Sequence, residues 1–99
     1  MSKSKSYHGD IRRLIEHHGE DETLLIAIEE CSELIKEITK YKRAGSHEEQ
    51  ISRRGSLLEE IADVQICIDM LLVIFDFAGD ELAREITAKM KRNIGRMTE

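Results

Sequence analysis

The chain has no proline and no tryptophan, only two tyrosines and two phenylalanines, and two cysteines. Without proline nothing enforces a helix break, so glycine beside Ser or Asp must mark the turns. Cys31 and Cys67 lack CxxC spacing and the four histidines are scattered, which argues against a disulfide scaffold or a zinc site. A reducing cytoplasm is the expected setting. No apolar run is long enough to cross a membrane, and the polar opening Met1-Ser2-Lys3-Ser4-Lys5-Ser6 has no apolar region behind it, so neither a signal peptide nor an anchor is expected. Positive charge is also short: 15 Lys and Arg against 20 Asp and Glu give a net charge of -5. No nucleic-acid polymer is expected as a partner, and any anionic ligand needs metal ions or a local basic cluster.

What is present is helical. Ninety-nine residues, 40% hydrophobic and 35% charged, fit one domain near the lower limit for a self-sufficient core. The expected fold is all-α, a four-helix-type bundle completed by homo-oligomerisation, as a dimer or tetramer. Residues 1–8 read as a frayed start. A short first helix is predicted over 10–18, capped by Asp10 and stopped by Gly19. The second is predicted over 21–44, with Leu24, Ala27, Ile28, Cys31, Leu34, Ile35 and Ile38 drawing one apolar stripe. The segment 45–55 is polar, although Ser46 followed by Glu49 can cap a helical turn within it. Ser56 and Glu59 make another capping box, so the third helix is predicted over 56–77. Between residues 64 and 75 only Gln65 and Asp69 are polar, and a helix apolar nearly all round needs cover on most sides. Gly79 ends it, Asp80 caps the fourth, and Leu82, Ile86, Met90 and Ile94 line one side of that last helix.

Two acid pairs stand on this scaffold, Glu29-Glu30-Cys31-Ser32-Glu33 and Glu59-Glu60-Ile61-Ala62-Asp63. Glu30 and Glu33 share one helix face, as do Glu60 and Asp63, and both leading glutamates border apolar stripes. Packing the second helix antiparallel to the third lets the four carboxylates converge. Such a cluster repels itself unless cations occupy it, and hard, oxygen-liganded Mg²⁺ is the natural occupant. A chain with 20 acids also shows such spacings by chance on solvated faces. Position at the core edge favours the metal reading.

The two pairs, in Ile28-Glu29-Glu30-Cys31-Ser32-Glu33-Leu34-Ile35 and Leu58-Glu59-Glu60-Ile61-Ala62-Asp63-Val64, resemble the E-x-x-E and E-x-x-D segments of the MazG-like, all-α nucleoside triphosphate pyrophosphohydrolases. The resemblance spans about residues 24–96. Its last part is Lys89-Met90-Lys91-Arg92-Asn93-Ile94-Gly95-Arg96, similar to that family's K-x-x-x-N-x-x-R, although the family's frequent aromatic-proline ending does not follow. The resemblance implies hydrolysis of a nucleoside triphosphate to monophosphate and pyrophosphate, with Mg²⁺, or Mn²⁺ as a substitute, held by Glu30, Glu33, Glu60 and Asp63. Mg²⁺ is then expected to neutralise phosphate oxygens, orient the chain and activate the attacking water. No Ser-His-Asp or Cys-His order is evident, so a covalent nucleophile is not expected.

Other residues carry two readings each. Glu29 points about 100° away from Glu30 and is either an outer base or a solvated glutamate. Lys89, Asn93 and Arg96 form one stripe, which either grips phosphate or is a basic helix end that suits the macrodipole. Lys40, Lys42, Arg43, Arg53 and Arg54 flank the polar connection. Cys67 reads as a small packing residue. Tyr7, His8, Tyr41, Phe75 and Phe77 are the candidates for base stacking, with Phe75 assigned to the core. Two rival functions remain: a phosphoribosyl-ATP pyrophosphohydrolase, disfavoured because the lysine-glycine lead into the glutamates is missing, and a non-catalytic helical dimerisation module.

Overall fold

The computed structural model describes residues 5–98, and these contain four α-helices and no strand. They are α1 (Lys5–His18), α2 (Glu20–Arg43), α3 (His47–Ile74) and α4 (Gly79–Met97). The all-α expectation holds. Its boundaries shift for identifiable reasons.

Helix α1 starts at Lys5 rather than Asp10, so residues 5–8 are helical; the expectation of fraying over 1–4 lies outside the described residues. Two contacts hold the early turns: Ile11 is buried, and the Tyr7 hydroxyl donates to the Asp69 carboxylate on α3. Gly19 adopts φ 81, a left-handed conformation that suits a residue without Cβ. Its N–H donates to the Ile15 carbonyl at 2.7 Å, while its own carbonyl accepts from the Thr23 N–H at 3.0 Å and the Thr23 hydroxyl at 2.7 Å. One residue therefore closes α1 and opens α2. Glu20, Asp21 and Glu22 occupy the first turn of α2 and Lys40, Lys42 and Arg43 its last, both favourable to the helix dipole.

The largest shift is in α3, which begins at His47, nine residues ahead of the start expected at Ser56. Ser46 is the true cap: its Oγ accepts from the Glu49 N–H at 3.2 Å, and Glu49 Oε2 accepts from the Gly45 N–H at 3.0 Å. Gly55 then lies inside the helix, where one glycine costs only about 1 kcal/mol relative to alanine. That cost is too small to break a run of this length once it is capped. The connection from α2 shrinks to residues 44–46, which makes α2 and α3 one antiparallel hairpin. At the far end α3 stops at Ile74, because Asp76 takes the left-handed role (φ 53) expected of Gly79. Ala78, not Asp80, precedes α4. Alanine has no side-chain acceptor, so only half of a capping box forms, with the Ala78 N–H donating to Glu81 Oε2 at 3.2 Å.

The core is small. Ile11, Thr23, Ala27, Cys67 and Met70 are buried, with Tyr7, Ile15, Ile26, Ile66, Leu71 and Val73 packed around the hydrophobic members. Helices α1, α2 and α3 pack on one another, whereas α4 meets none of them among the described residues. Most of the expected α2 stripe is consequently uncovered: Ile28 and Ile35 are 65% and 66% exposed. Phe75, assigned to the core from its sequence context, is exposed and tilts against Phe77 at 6.2 Å between ring centroids. The radius of gyration is 16.6 Å, against about 13 Å for a compact domain of 100 residues. No helix among the described residues is long and apolar enough to cross a membrane.

Candidate metal centre

The α2–α3 hairpin brings Glu30, Glu60 and Asp63 together, with one carboxylate oxygen of each within 4.8 Å of the others. Glu30 and Glu60 are half-buried at the helix interface, and Asp63 reaches the surface. Partial burial first, then the charges of Asp63 and Glu60 and hydrogen bonds to both, push the Glu30 carboxyl above its ordinary value. Burial and crowding with Asp63 and Glu60 thus make ionisation of Glu30 harder than for a free glutamate. Glu60 Oε2 is buried and has no hydrogen-bond partner. A buried, unsatisfied carboxylate oxygen is costly, and a divalent cation would satisfy it. Three hard oxygen donors of high negative charge fit Mg²⁺, which is bound through a few carboxylates and keeps its remaining positions for water and phosphate.

The other expected site residues are distributed differently. Glu33 lies outside this group, exposed, with its carboxylate 3.3 Å from Lys36 Nζ. Glu29 is exposed. Lys89, Asn93 and Arg96 are exposed on α4, and α4 contacts neither α2 nor α3, so a single chain does not pack them against the acids. Lys40, Lys42, Arg43, Arg53 and Arg54 are exposed. Tyr7 is occupied at Asp69, where burial, that hydrogen bond and the Asp69 charge push its hydroxyl up to about 12. Cys67 is buried, and burial together with the charges of Glu30, Cys31 and Asp63 pushes its thiol up to about 11. Burial and a raised thiol both suit the packing role expected of it.

Two features of the site escaped the sequence reading. Glu37, one further turn along α2 from Glu33, has a side chain only 12% exposed; Oε1 lies 3.4 Å from Lys40 Nζ while Oε2 is buried without a partner. Its i+7 relation to Glu30 was the available signal. The second is a cleft of about 160 Å³ whose lining includes Glu30 and Asp63 together with apolar side chains from α1, α2 and α3. Leu14 and His18 at i, i+4 on α1, and Ile66 and Met70 at i, i+4 on α3, are the face pairs that mark it.

Comparison with known protein families, with curated proteins and with solved structures finds no match.

Proposed function

We propose that this protein hydrolyses nucleoside triphosphates to the monophosphate and pyrophosphate in a Mg²⁺-dependent reaction, acting as a homo-oligomer. The observation that carries the reading is the convergence of Glu30, Glu60 and Asp63 from two helices, with one oxygen of Glu60 buried and unsatisfied. Exposed acidic groups also cluster without a metal, and it is the buried, partnerless oxygen of Glu60 beside the other two that favours a cation here. Bound Mg²⁺ would supply charge neutralisation at the triphosphate and a more acidic attacking water. Glu30, Glu60 and Asp63 would hold it, and Glu33, one turn further along α2 and free to exchange Lys36 for a cation, would complete the set. Loading would favour the ionised form of Glu30, against the burial and the neighbours that raise its pKa.

The triphosphate also needs cations and hydrogen-bond donors from the protein, and in this reading Lys89 and Arg96 supply the charge and Asn93 an amide donor from α4. Among the described residues that helix packs against no other helix and its apolar stripe is exposed, which supports a second copy as the surface it packs against.

The test is product analysis. Purified protein with Mg²⁺ should release pyrophosphate and monophosphate from at least one member of a ribo- and deoxyribonucleoside triphosphate panel, and lose that activity with EDTA. Release of orthophosphate, or no turnover of any member, would overturn the reading; the second result would leave the phosphoribosyl-ATP and dimerisation-module rivals.

A further inference from the structure

The cleft beside the carboxylates has a size and lining that identify what enters it. Its volume is about 160 Å³, and Leu14, Ile26, Ile66 and Met70 form its apolar walls. It shares Glu30 and Asp63 with the triad, so a molecule held through phosphate at the acids has its next portion directed into the cleft. In a nucleoside triphosphate only the sugar separates the α-phosphate from the base, so the base is the portion within reach. A cavity of about 150 Å³ lined by aliphatic side chains accepts one benzene-sized ring. We propose that this cleft is the base subsite of the activity inferred above, on which the proposal rests, and that its size selects the single ring of a pyrimidine over the fused rings of a purine.

The walls suit a flat ring. Leu14, Ile26 and Ile66 offer branched apolar contacts, and Met70 a flexible thioether that can adapt to a ring. His18 is also part of the lining, and its Nδ1 lies 3.5 Å from Glu22 Oε1, a contact that orients the imidazole. The cleft does not widen easily. Helix α1, which carries Leu14 and His18, is pinned by buried Ile11 and by the Tyr7 hydroxyl on Asp69. A purine would have to displace that helix or leave its second ring in water.

The experiment has two independent readouts. Steady-state pyrophosphate release by the Mg²⁺-loaded wild type should show kcat/KM for UTP, CTP, dUTP and dCTP at least about tenfold above ATP, GTP, dATP and dGTP. Leu14→Trp, at a wall position 39% exposed and so tolerant of a larger side chain, should raise the pyrimidine KM about tenfold with little change in kcat. Separately, uridine added to metal-free wild type should shift the Met70 methyl NMR signal more than adenosine does. Equal turnover of purines and pyrimidines, or equal methyl shifts from the two nucleosides, overturns the ring selection while leaving the hydrolase reading intact. A selective uridine shift in a protein that cleaves no triphosphate keeps the subsite and removes the hydrolase.

Discussion

At the scale of the residue, Glu60 and Glu30 bear opposite costs. Glu60 holds a buried oxygen with no partner, and Glu30 a carboxyl whose ionisation burial and its neighbours oppose. Glu60→Gln keeps the size of the side chain and removes one charge from the crowd. Pyrophosphate release should fall by at least about a hundredfold, the upper range for residues that merely support a metal ligand. The metal-free melting temperature should rise, and its gain from Mg²⁺ should shrink. Full activity in this variant would remove Glu60 from the site. The pH dependence follows from Glu30. Its folded value lies above 4.5, so the native state binds the proton more tightly than the unfolded chain does. That contribution is complete below about pH 4.5 and is lost as pH rises through the higher folded value. Urea titrations in EDTA should show stability from this group declining above that point, and Mg²⁺ should flatten or reverse the slope by favouring the ionised carboxylate. Identical profiles with and without Mg²⁺ would mean that no cation competes with the proton. Lys89→Ala should raise the KM for a triphosphate and leave Mg²⁺ stabilisation of the nucleotide-free protein unchanged; unaltered kinetics would return Lys89 to solvent.

At the scale of the element, Gly55 separates propensity from packing. It sits within α3 and a Cβ added there would meet nothing within 4 Å. Gly55→Ala should therefore stabilise the protein by about 0.5–1 kcal/mol, read as a higher midpoint in urea with unchanged slope. A loss of stability would place a break in α3 at that residue. The same helix indicates what could be read from the chain beforehand. Both Ser46 with Glu49 and Ser56 with Glu59 satisfy the capping spacing, and local chemistry alone does not rank them. The first is used because it yields one uninterrupted helix from a three-residue connection. Glu30, Glu60 and Asp63 were legible because their spacing and their place beside apolar positions follow from helix periodicity alone. The separation of Glu33 from that group was not, since it depends on where Lys36 directs its ammonium group. The cleft was least legible: periodicity places Leu14 with His18 and Ile66 with Met70 on their own helix faces, but not the pairing of α1 with α3 that brings those faces together.

At the scale of the whole molecule, the apolar surface exceeds what one chain covers. Leu82, Ile86, Met90, Ile94 and Met97 are all exposed on α4, and Leu72 and Phe77 continue the strip through a groove of about 510 Å³ between the ends of α3 and α4. An exposed stripe of this extent on a helix without intrachain partners is characteristic of an association surface. Ile86→Asp should yield a folded monomer by light scattering and circular dichroism, because α1, α2 and α3 do not rely on α4 within the chain. A wild type that is itself monomeric at micromolar concentration would end the oligomer reading. Loss of pyrophosphate release on dissociation would tie Lys89 and its neighbours to a partner's acids.

In the oligomer reading, the exposed stripe of α4 also makes this protein's behaviour a matter of mass action. If its stripe is buried only when two copies meet, the free energy of folding includes an association term, and the melting temperature should climb with each tenfold increase in protein. Dilution would then act as an inhibitor, loosening α4 before any bond in the α2–α3 hairpin is disturbed, and specific activity would become a reporter of copy number.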